Sequence, residues 1–273
     1  MTRIIRCIAV SLLLLTKAWA GSPEPLWQEP NTGMMFVAIP KGCFQMGWNV
    51  AIAPPGDTMW GEIGYKGSPS ANEKPQHEVC IDAFWLGRYE VSVKEWQAVM
   101  GQATANNQSD PSKTPMAGVT WQEAQSFAQR LGALSGKKIR LPTEAEWEYA
   151  CRAGSKVTNA SNLDQLLAQA RFGLGSPTVH ERSAGSIGAL AANSFGLHDM
   201  LGNVWEWVAD SYEADGYARH SLHNPSVESA SAQRVIRGGS FRTEFTQVRC
   251  SRRGHQPATE SLNTIGLRLV RQP

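Results

Sequence analysis

The run GLHDMLGNVWEWVAD occupies residues 196–210 and is dense in glycine, asparagine, aspartate and tryptophan. Four more distinctive runs stand around it: LPTEAEWEYACRAG at 141–154, RVIRGGSF at 234–241, RCSRR at 249–253 and GLRLV at 266–270. Several familiar signatures do not occur in the sequence, namely GxSxG, HExxH, GxxxxGK[ST], the EF-hand loop and GxGxxG. Their absence removes support from the standard hydrolase and nucleotide-binding interpretations.

Three helices are predicted where Ser or Thr is followed three residues later by Glu, a pattern that satisfies the free backbone donors of a helix start. The pairs are Ser92 with Glu95, Thr120 with Glu123, and Thr143 with Glu146. The second helix is expected to end at Gly136, and its apolar face is formed by Ala124, Phe127, Ala128 and Leu131. The third is expected to run to about Arg152, with Gly154 as its stop.

Strands are predicted at 34–39 and at 83–91 (AFWLGRYEV), where aromatic and β-branched residues are dense, and these two should pack together. Shorter strands are expected at 234–241 and 265–270, and a short helix at 163–170. No fixed-period repeat and no linker divides the chain. The pattern alone therefore predicts one compact α+β domain with much irregular structure.

The composition is that of a folded chain with an ordinary charge balance. Of 273 residues, 42% are hydrophobic and 18% are charged, which is enough to close a core and excludes wholesale disorder. The formal net charge of +2 gives no case for a nucleic-acid-binding protein. We expect a small-molecule, peptide or protein partner instead.

Residues 1–20 have the pattern of a cleaved secretory signal peptide, because Arg3 and Arg6 precede a short apolar run that ends in a small-x-small sequence at 18–20. The apolar run is too short to span a membrane. We expect a soluble periplasmic or secreted chain over 21–273, with no membrane span after signal cleavage.

Export implies an oxidising compartment, in which an even number of cysteines is expected to pair. Four cysteines remain after processing, and three connectivities are possible for Cys43, Cys80, Cys151 and Cys250. A zinc site is disfavoured, because no two of these cysteines lie in a CxxC motif.

In this order and spacing, the five runs resemble the formylglycine-generating enzyme family, also called the sulfatase-modifying factor family. The likeness covers nearly the whole mature chain, from about Met34 to Arg271. It implies a single irregular domain, low in regular secondary structure and distantly akin to C-type lectins. Catalytic members of the family oxidise a cysteine of a sulfatase to formylglycine, using molecular oxygen and copper held by two thiolates shortly after the GGS[FYW] turn.

At the positions of those two thiolates this chain has Thr243 and Val248. Neither side chain can supply the soft sulfur ligand that Cu(I) requires. The resemblance is therefore to a cysteine-less, non-copper subgroup, and no copper is expected.

The resemblance also implies the disulfides. Family members with extra cysteines join the positions of Cys151 and Cys250, which leaves Cys43 with Cys80 as a bridge between the two N-terminal strands.

A structural calcium site is a further implication of the resemblance, at the GNxWEW loop. Its ligands here would be the side chains of Asp199 and Glu206 with the backbone carbonyls of Gly202 and Val204, an oxygen set that suits Ca²⁺. The alternative is that the two carboxylates only cap backbone donors in that turn.

The family's pocket gives the predicted binding groove. Trp205, Ser240 and Arg253 match pocket positions, and Arg242 and Glu244 are expected beside them. The alternatives are a turn hydrogen bond for Ser240 and a solvated or carboxylate-paired Arg253. The other tryptophan of the WEW run, Trp207, is expected in the core.

Charge and histidine give two weaker indications. The last forty residues hold eight arginines against two glutamates, a cluster that either receives an anionic ligand or acidic partner or forms several internal ion pairs. His198 beside Asp199 is a candidate acid or base, although a turn histidine is the plainer interpretation.

Together these observations favour an exported, non-catalytic binding or regulatory module, as in cysteine-less relatives that serve as periplasmic accessory proteins of a secretion or kinase pathway. Its partner would be a protein or an anionic small molecule. The alternative is an oxidoreductase of the siderophore-maturation type that works without the copper cysteines, with Glu244 as its acid or base. Formylglycine generation on sulfatases ranks behind both.

Overall fold

Two sheets organise the chain in the computed structural model, which describes residues 25–48, 70–101, 110–155, 163–173, 183–244 and 247–273. The first sheet has five strands in the order β1 (Leu26–Gln28), β2 (Met35–Ile39), β5 (Phe84–Gly87), β13 (Val270–Arg271) and β6 (Ile139–Arg140). The second has four, in the order β11 (Arg253–Pro257), β10 (Gln233–Arg237), β9 (Trp205–Ser211) and β12 (Ile265–Leu267). The predicted signal peptide at 1–20 lies outside the described residues.

Two smaller strand pairs complete the sheet structure of the described residues. Strands β3 (Gly42–Met46) and β4 (His77–Ile81) form an antiparallel pair, and β7 (Ala170–Arg171) lies parallel to β8 (Leu201–Gly202).

The α-helices of the described residues are α1 (Val93–Met100), α2 (Trp121–Ser135), α3 (Glu144–Arg152) and α4 (Leu163–Gln169). All three predicted capping boxes are confirmed, each with the Ser or Thr side chain accepting from the backbone N–H of the glutamate. Gly136 ends α2 in a left-handed conformation, as expected. In α3 the left-handed cap is Ala153, one residue before the predicted Gly154, because the Ala153 N–H already bonds the carbonyl of Tyr149. No described helix is long and apolar enough to cross a membrane.

The predicted strand at 34–39 is confirmed as β2, and it pairs antiparallel with β5. The predicted 83–91 strand stops at Gly87, since the chain then leaves the first sheet and the Val91 N–H bonds the carbonyl of Leu267. The 265–270 run is likewise divided, because β12 belongs to the second sheet and β13 to the first.

Strand β9, the central element of the second sheet, was not predicted. It pairs antiparallel with β10 and parallel with β12, so both of its edges are hydrogen-bonded. Five of its seven residues are buried. A strand that is buried on both faces does not alternate regularly between apolar and polar residues, and this alternation is the pattern by which a strand is predicted from sequence.

Both implied disulfides are present. Cys151–Cys250 lies within the core, with both residues at most 6% exposed. Cys43–Cys80 joins residues directly opposite each other on β3 and β4, and not the 34–39 and 83–91 strands as predicted. The pairing was correct, but the sequence signal for β3 and β4 was too weak to place it.

The core is packed between the sheets and the helices. Trp207 is fully buried, as expected. A close backbone approach explains Gly266 in the GLRLV run, because a Cβ at this position would lie 2.2 Å from the carbonyl oxygen of Met116. These findings confirm a single α+β domain with much irregular structure.

Candidate functional site

Helix α3 is fixed in the core by a buried carboxylate, Glu148. Its Oε1 accepts from the Gly47 N–H at 2.9 Å and from Arg152 Nε at 2.8 Å, and its Oε2 accepts from Arg237 Nη2 at 2.6 Å and Tyr217 Oη at 3.2 Å. Burial alone would raise the pKa of Glu148, but the charges of Arg152 and Arg237 outweigh it, so the pKa lies below its ordinary value. Glu148 is therefore ionised and structural.

The first residue of α3, Glu144, holds Arg253 in the same way. Arg253 Nε and Nη2 donate to the two oxygens of Glu144 at 2.7 and 2.9 Å, and Arg253 Nη1 donates to the Asn72 carbonyl at 2.7 Å. The guanidinium also lies 4.3 Å from the ring centroid of Tyr217. Arg253 is thus carboxylate-paired, as one of the two alternatives had it.

The eight C-terminal arginines are distributed over the whole domain. Those at 237, 249, 253 and 268 are buried and pair with glutamates at 148, 73, 144 and 206. Arg234 lies 4.0 Å above the Trp121 ring, and Arg271 lies near Trp27 and Trp85. The fold therefore favours separate internal ion pairs over one anion-binding patch.

A cavity of about 520 Å³ opens on one face of the second sheet, and we call it the Trp205 groove. Its lining includes Asn72, Trp205, Tyr212, Arg252, His255 and Leu262. Gly254 faces it from β11, where a Cβ would lie 2.8 Å from Ile236 Cγ1 and 3.3 Å from the Trp205 ring. A side chain at this position would close the space between these two residues.

Two polar side chains in the Trp205 groove keep unused hydrogen-bonding capacity. Arg252 reaches Glu73 only at 3.8 Å, its Nε has no hydrogen-bond partner, and its side chain is 29% exposed. Asn72 donates to Tyr212 Oη at 3.0 Å, but its Oδ1 accepts no hydrogen bond. The groove therefore offers a cationic donor and an amide acceptor to a ligand.

His255 is the titratable imidazole of the groove. Its ring stacks on Tyr212 with centroids 4.0 Å apart, and Nδ1 lies 3.2 Å from Gln233 Oε1. Burial and then the charge of Arg253 lower the pKa of His255, so the imidazole is neutral at pH 7.

The structure brings together only part of the predicted pocket. Trp205 and Arg253 line the Trp205 groove, whereas Ser240, Arg242 and Glu244 are not among its lining residues. Ser240 is buried and its Oγ accepts the Arg242 N–H at 3.2 Å, which is the turn hydrogen bond given as its alternative. Glu244 is exposed, and its backbone forms an isolated β-bridge with the backbone of Gly173.

The two positions implied for the copper thiolates have local structural roles. Thr243 Oγ1 accepts the Ser240 N–H at 2.8 Å and closes the turn after Gly239. Val248 is 3% exposed and belongs to the core. All four cysteines of the described residues are in disulfides, so this part of the chain has no thiolate pair.

The predicted calcium ligands lie in one turn, and Glu206 is heavily engaged there. Its Oε1 accepts from Arg268 Nη2 at 2.7 Å, and its Oε2 accepts from Trp147 Nε1 at 2.7 Å. Asp199 has a positive φ of 57° and accepts the Gly188 N–H at 2.7 Å through Oδ2. Within the described residues there is no group of three or more His, Cys, Asp or Glu side chains that could hold a metal.

Glu90 adds a third buried carboxylate to this turn. It accepts from Asn203 Nδ2 at 2.5 Å and from the Val204 N–H at 3.0 Å. Burial, followed by the charges of Asp199 and Glu206, raises the pKa of Glu90 well above its ordinary value. Three buried carboxyl groups thus lie near Arg268, and burial favours the neutral form of Glu90.

His198 precedes this turn in the chain and is held by its neighbours. Its Nδ1 lies 2.8 Å from the Leu190 carbonyl, and its ring lies 4.9 Å from that of Tyr89. The plainer interpretation, a turn histidine, matches these contacts.

Comparison with known proteins gives the family. A family model of the sulfatase-modifying factor enzyme 1-like domain matches residues 22–273. The chain belongs to this family. The formylglycine-generating enzyme of Thermomonospora curvata is 32% identical over 276 residues, which cover 78% of this chain and 84% of that enzyme.

Two further similarities extend the comparison to a kinase and to a solved structure. The serine/threonine-protein kinase pkn1 of Chlamydia caviae is 32% identical over 163 residues, 59% of this chain, and the match spans only 24% of the kinase. The solved structure of PvdO from Pseudomonas aeruginosa superposes with a TM-score of 0.75 at 23% identity, covering 93% of this chain and 100% of PvdO. At that identity the similarity shows a shared sulfatase-modifying factor fold.

Sequence reasoning missed several groove and turn residues of this sulfatase-modifying factor domain. Arg252 lies in the distinctive RCSRR run, so the sequence did draw attention to it. The other four residues, Asn72, Tyr212, His255 and Glu90, lie outside the distinctive runs. They come from separate segments that only the tertiary fold brings to Trp205 or to Asp199.

Proposed function

We propose that this chain is an exported binding or regulatory module that uses the sulfatase-modifying factor scaffold without copper catalysis. The observation that carries the proposal is the chemistry at Thr243 and Val248, a bonded hydroxyl and a buried isopropyl group where catalytic relatives hold the metal. Export rests on the signal-peptide pattern at 1–20 and agrees with the two disulfides, which persist in oxidising compartments.

The ligand is proposed to bind in the Trp205 groove, as a protein segment or small molecule that carries an anionic group. Arg252 supplies a guanidinium without a close carboxylate partner, and Trp205 with Tyr212 supplies apolar and aromatic surface. An anion paired with Arg252 beside an apolar moiety on Trp205 satisfies both features.

We further propose that Ca²⁺ binds at the turn of Asp199, Gly202, Val204 and Glu206. The excess of buried carboxylates over Arg268 supports this proposal. Glu206 has to turn one oxygen from Arg268 or Trp147 to the ion, because all of its present contacts are with donors. The ion would neutralise the turn and hold its backbone.

The absence of copper chemistry is tested with the purified mature chain. Cu(I) is titrated against a chelator of known affinity, and a sulfatase-derived cysteine peptide is incubated with oxygen and copper. We expect no tight Cu(I) binding and no aldehyde, with the Thermomonospora curvata formylglycine-generating enzyme as the positive control. Tight binding together with aldehyde formation would refute the proposal.

The groove is tested with Trp205→Ala and Arg252→Ala proteins in crosslinking and pulldown from periplasm. Arg253→Ala is unsuitable, because it would leave Glu144 buried without its arginine partner. Leu134→Ala is the control, since Leu134 is 55% exposed on α2 and does not line the groove. A partner captured by wild type and Leu134→Ala, and lost from both groove variants, is the expected result. A partner retained by both groove variants would place the binding surface elsewhere.

The alternative function is an enzyme that uses the same groove without copper. One observation favours it, namely His255, a neutral imidazole stacked on Tyr212 within the groove. His255→Asn separates the two functions, because an enzyme would bind its substrate but lose turnover. A binding module would show no turnover in either form.

A further inference from the structure

His77 and His220 form a direct imidazole–imidazole contact away from the Trp205 groove. His77 is the first residue of β4, and His220 follows the 3-10 helix Gly216–Arg219. His77 Nε2 and His220 Nδ1 are 3.0 Å apart, and His77 Nδ1 lies 2.9 Å from the Pro75 carbonyl oxygen. The Tyr217 ring packs against both imidazoles, with centroids 5.2 and 5.1 Å away.

These contacts fix the protons of the neutral pair. The Pro75 carbonyl can only accept, so His77 Nδ1 carries a proton and His77 Nε2 is left as an acceptor. His220 Nδ1 must then donate to His77 Nε2. The remaining nitrogen, His220 Nε2, is a bare acceptor that is buried and has no hydrogen-bond partner.

An added proton has no favourable place in this pair. If it binds His220 Nε2 directly, a buried N–H is created that has no acceptor. If it binds His77 Nε2, His220 has to shift its own proton to Nε2, with the same result. A buried donor without a partner costs free energy, so the contact must open before the pair takes up a proton at low cost.

The segments that lead to the two histidines line a cavity of about 760 Å³, which we call the Trp48 cavity. One wall is formed by residues 71–76 and the other by residues 214–218, and Trp48 lies between them. His77 and His220 continue from these two walls and join them. A second link between the same regions is the hydrogen bond from Asn72 Nδ2 to Tyr212 Oη.

The charges that face the pair do not provide the missing acceptor. After burial, the charges that act on His220 are those of Glu144 and Glu148, which favour its protonation, and of His77 and Arg253, which oppose it. Both glutamates are committed to arginines and Tyr217 is bonded to Glu148. Arg219 and Asp215 of the 3-10 helix bond each other at the surface, and Lys74 and Glu78 are exposed. Burial, helped by the charges of His77 and Arg253, outweighs the two glutamates and lowers the pKa of His220 to about 4.

We propose that the His77–His220 pair is an acid-sensitive clasp that joins the 71–77 segment to the 214–220 segment at neutral pH and opens on proton uptake. Opening returns His220 to an ordinary imidazole environment and separates the 71–76 wall from the 214–218 wall. Acidification of the surroundings is therefore coupled to the spacing of the two segments that line the Trp48 cavity. The clasp does not rest on the function proposed for the Trp205 groove, although Asn72 lines both cavities.

Hydrogen–deuterium exchange of the mature chain tests the clasp through the peptide that covers 214–220. With a closed-state pKa of about 4 and an open-state value of about 6.5, the opening equilibrium should rise roughly 25-fold between pH 7.5 and pH 5.0. Protection of this peptide, corrected for intrinsic exchange, should fall by that factor. The Cys151–Cys250 region should show no such change.

His220→Asn is the matched variant, because its amide nitrogen can replace Nδ1 as donor to His77 without titrating. The pH-dependent loss of protection should disappear in it and persist in His223→Asn, a control at an exposed histidine. An NMR titration should give His220 a pKa well below 6. Unchanged protection in wild type between the two pH values, or a His220 pKa near 6.5, would overturn the clasp.

Discussion

Replacing Arg237 by Met should destabilise the domain more than any surface arginine replacement. Arg237 is fully buried, and it donates to Glu148 at 2.6 Å and to the carbonyls of Cys250, Ser251 and Arg252 at 2.6 to 3.0 Å. Methionine fills a similar length without charge or donors. It leaves Glu148 with one arginine fewer and three carbonyls without this partner.

The expected cost follows from the buried pair. Removing one partner of a buried ion pair costs about 3–5 kcal/mol, since the other charge stays in the low-dielectric interior. For a domain of this size each kcal/mol lowers Tm by about 2–4 °C, so a fall of about 10 °C is expected. Urea denaturation followed by tryptophan fluorescence, with a thermal scan of the oxidised protein, measures both quantities.

A double-mutant cycle separates the ion pair from lost packing. Combining Arg237→Met with Glu148→Gln should cost less than the sum of the two single changes, by about 1–3 kcal/mol, because the double variant removes the unpaired charge. Arg219→Ala is the control, a surface arginine with a 55% exposed side chain whose loss should cost under about 1 kcal/mol. A loss below 1 kcal/mol for Arg237→Met, or strict additivity in the cycle, would refute the assigned role of this pair.

Three further predictions concern the calcium turn, a buried aspartate and the disulfides. Calcium should raise Tm and EDTA should reverse the effect, whereas Asp199→Asn should abolish it; equal melting curves with calcium and EDTA would remove the proposed ion. Asp210 is fully buried, and burial and then the charge of Glu144 raise its pKa to about 7. The contribution of Asp210 to the free energy of unfolding should be complete below pH 4 and lost as pH rises through 7. Urea titrations of wild type should show this decline in the free energy of unfolding, and those of Asp210→Asn should not. Mild reduction followed by alkylation and mass mapping should label Cys43 and Cys80 before Cys151 and Cys250, because Cys43 is exposed and the second disulfide is buried; the reverse order would contradict this.

The elements predicted correctly are those whose signals are local. A capping box needs only four consecutive residues, and all three boxes formed at Ser92, Thr120 and Thr143. The β2 strand was likewise apparent from its own composition. Strand β9 could not be found in this way, since its neighbours β10 and β12 come from distant parts of the chain and bury it on both sides.

The candidate site was predicted less well, because its geometry depends on long-range pairs. The family resemblance implied a pocket position for Arg253, and Arg253 does line the groove, but its charge is committed to Glu144, 109 residues away. Arg268 is paired with Glu206 across 62 residues. A cluster of arginines in sequence does not show which glutamates lie opposite, so the patch and the ion pairs could not be separated before the fold was known.

The scaffold is formed with Thr243 and Val248 at the positions that the resemblance implies for copper ligands, because both residues support the structure locally. Thr243 closes the turn after the double glycine through its hydroxyl, and Val248 belongs to the buried hydrophobic cluster that also contains Cys151 and Cys250. The ion pairs of Glu148 and Glu144 that fix α3 to β10 and β11 involve neither position. The contacts that stabilise this domain therefore do not require cysteines at these two positions, and they provide a frame around the Trp205 groove.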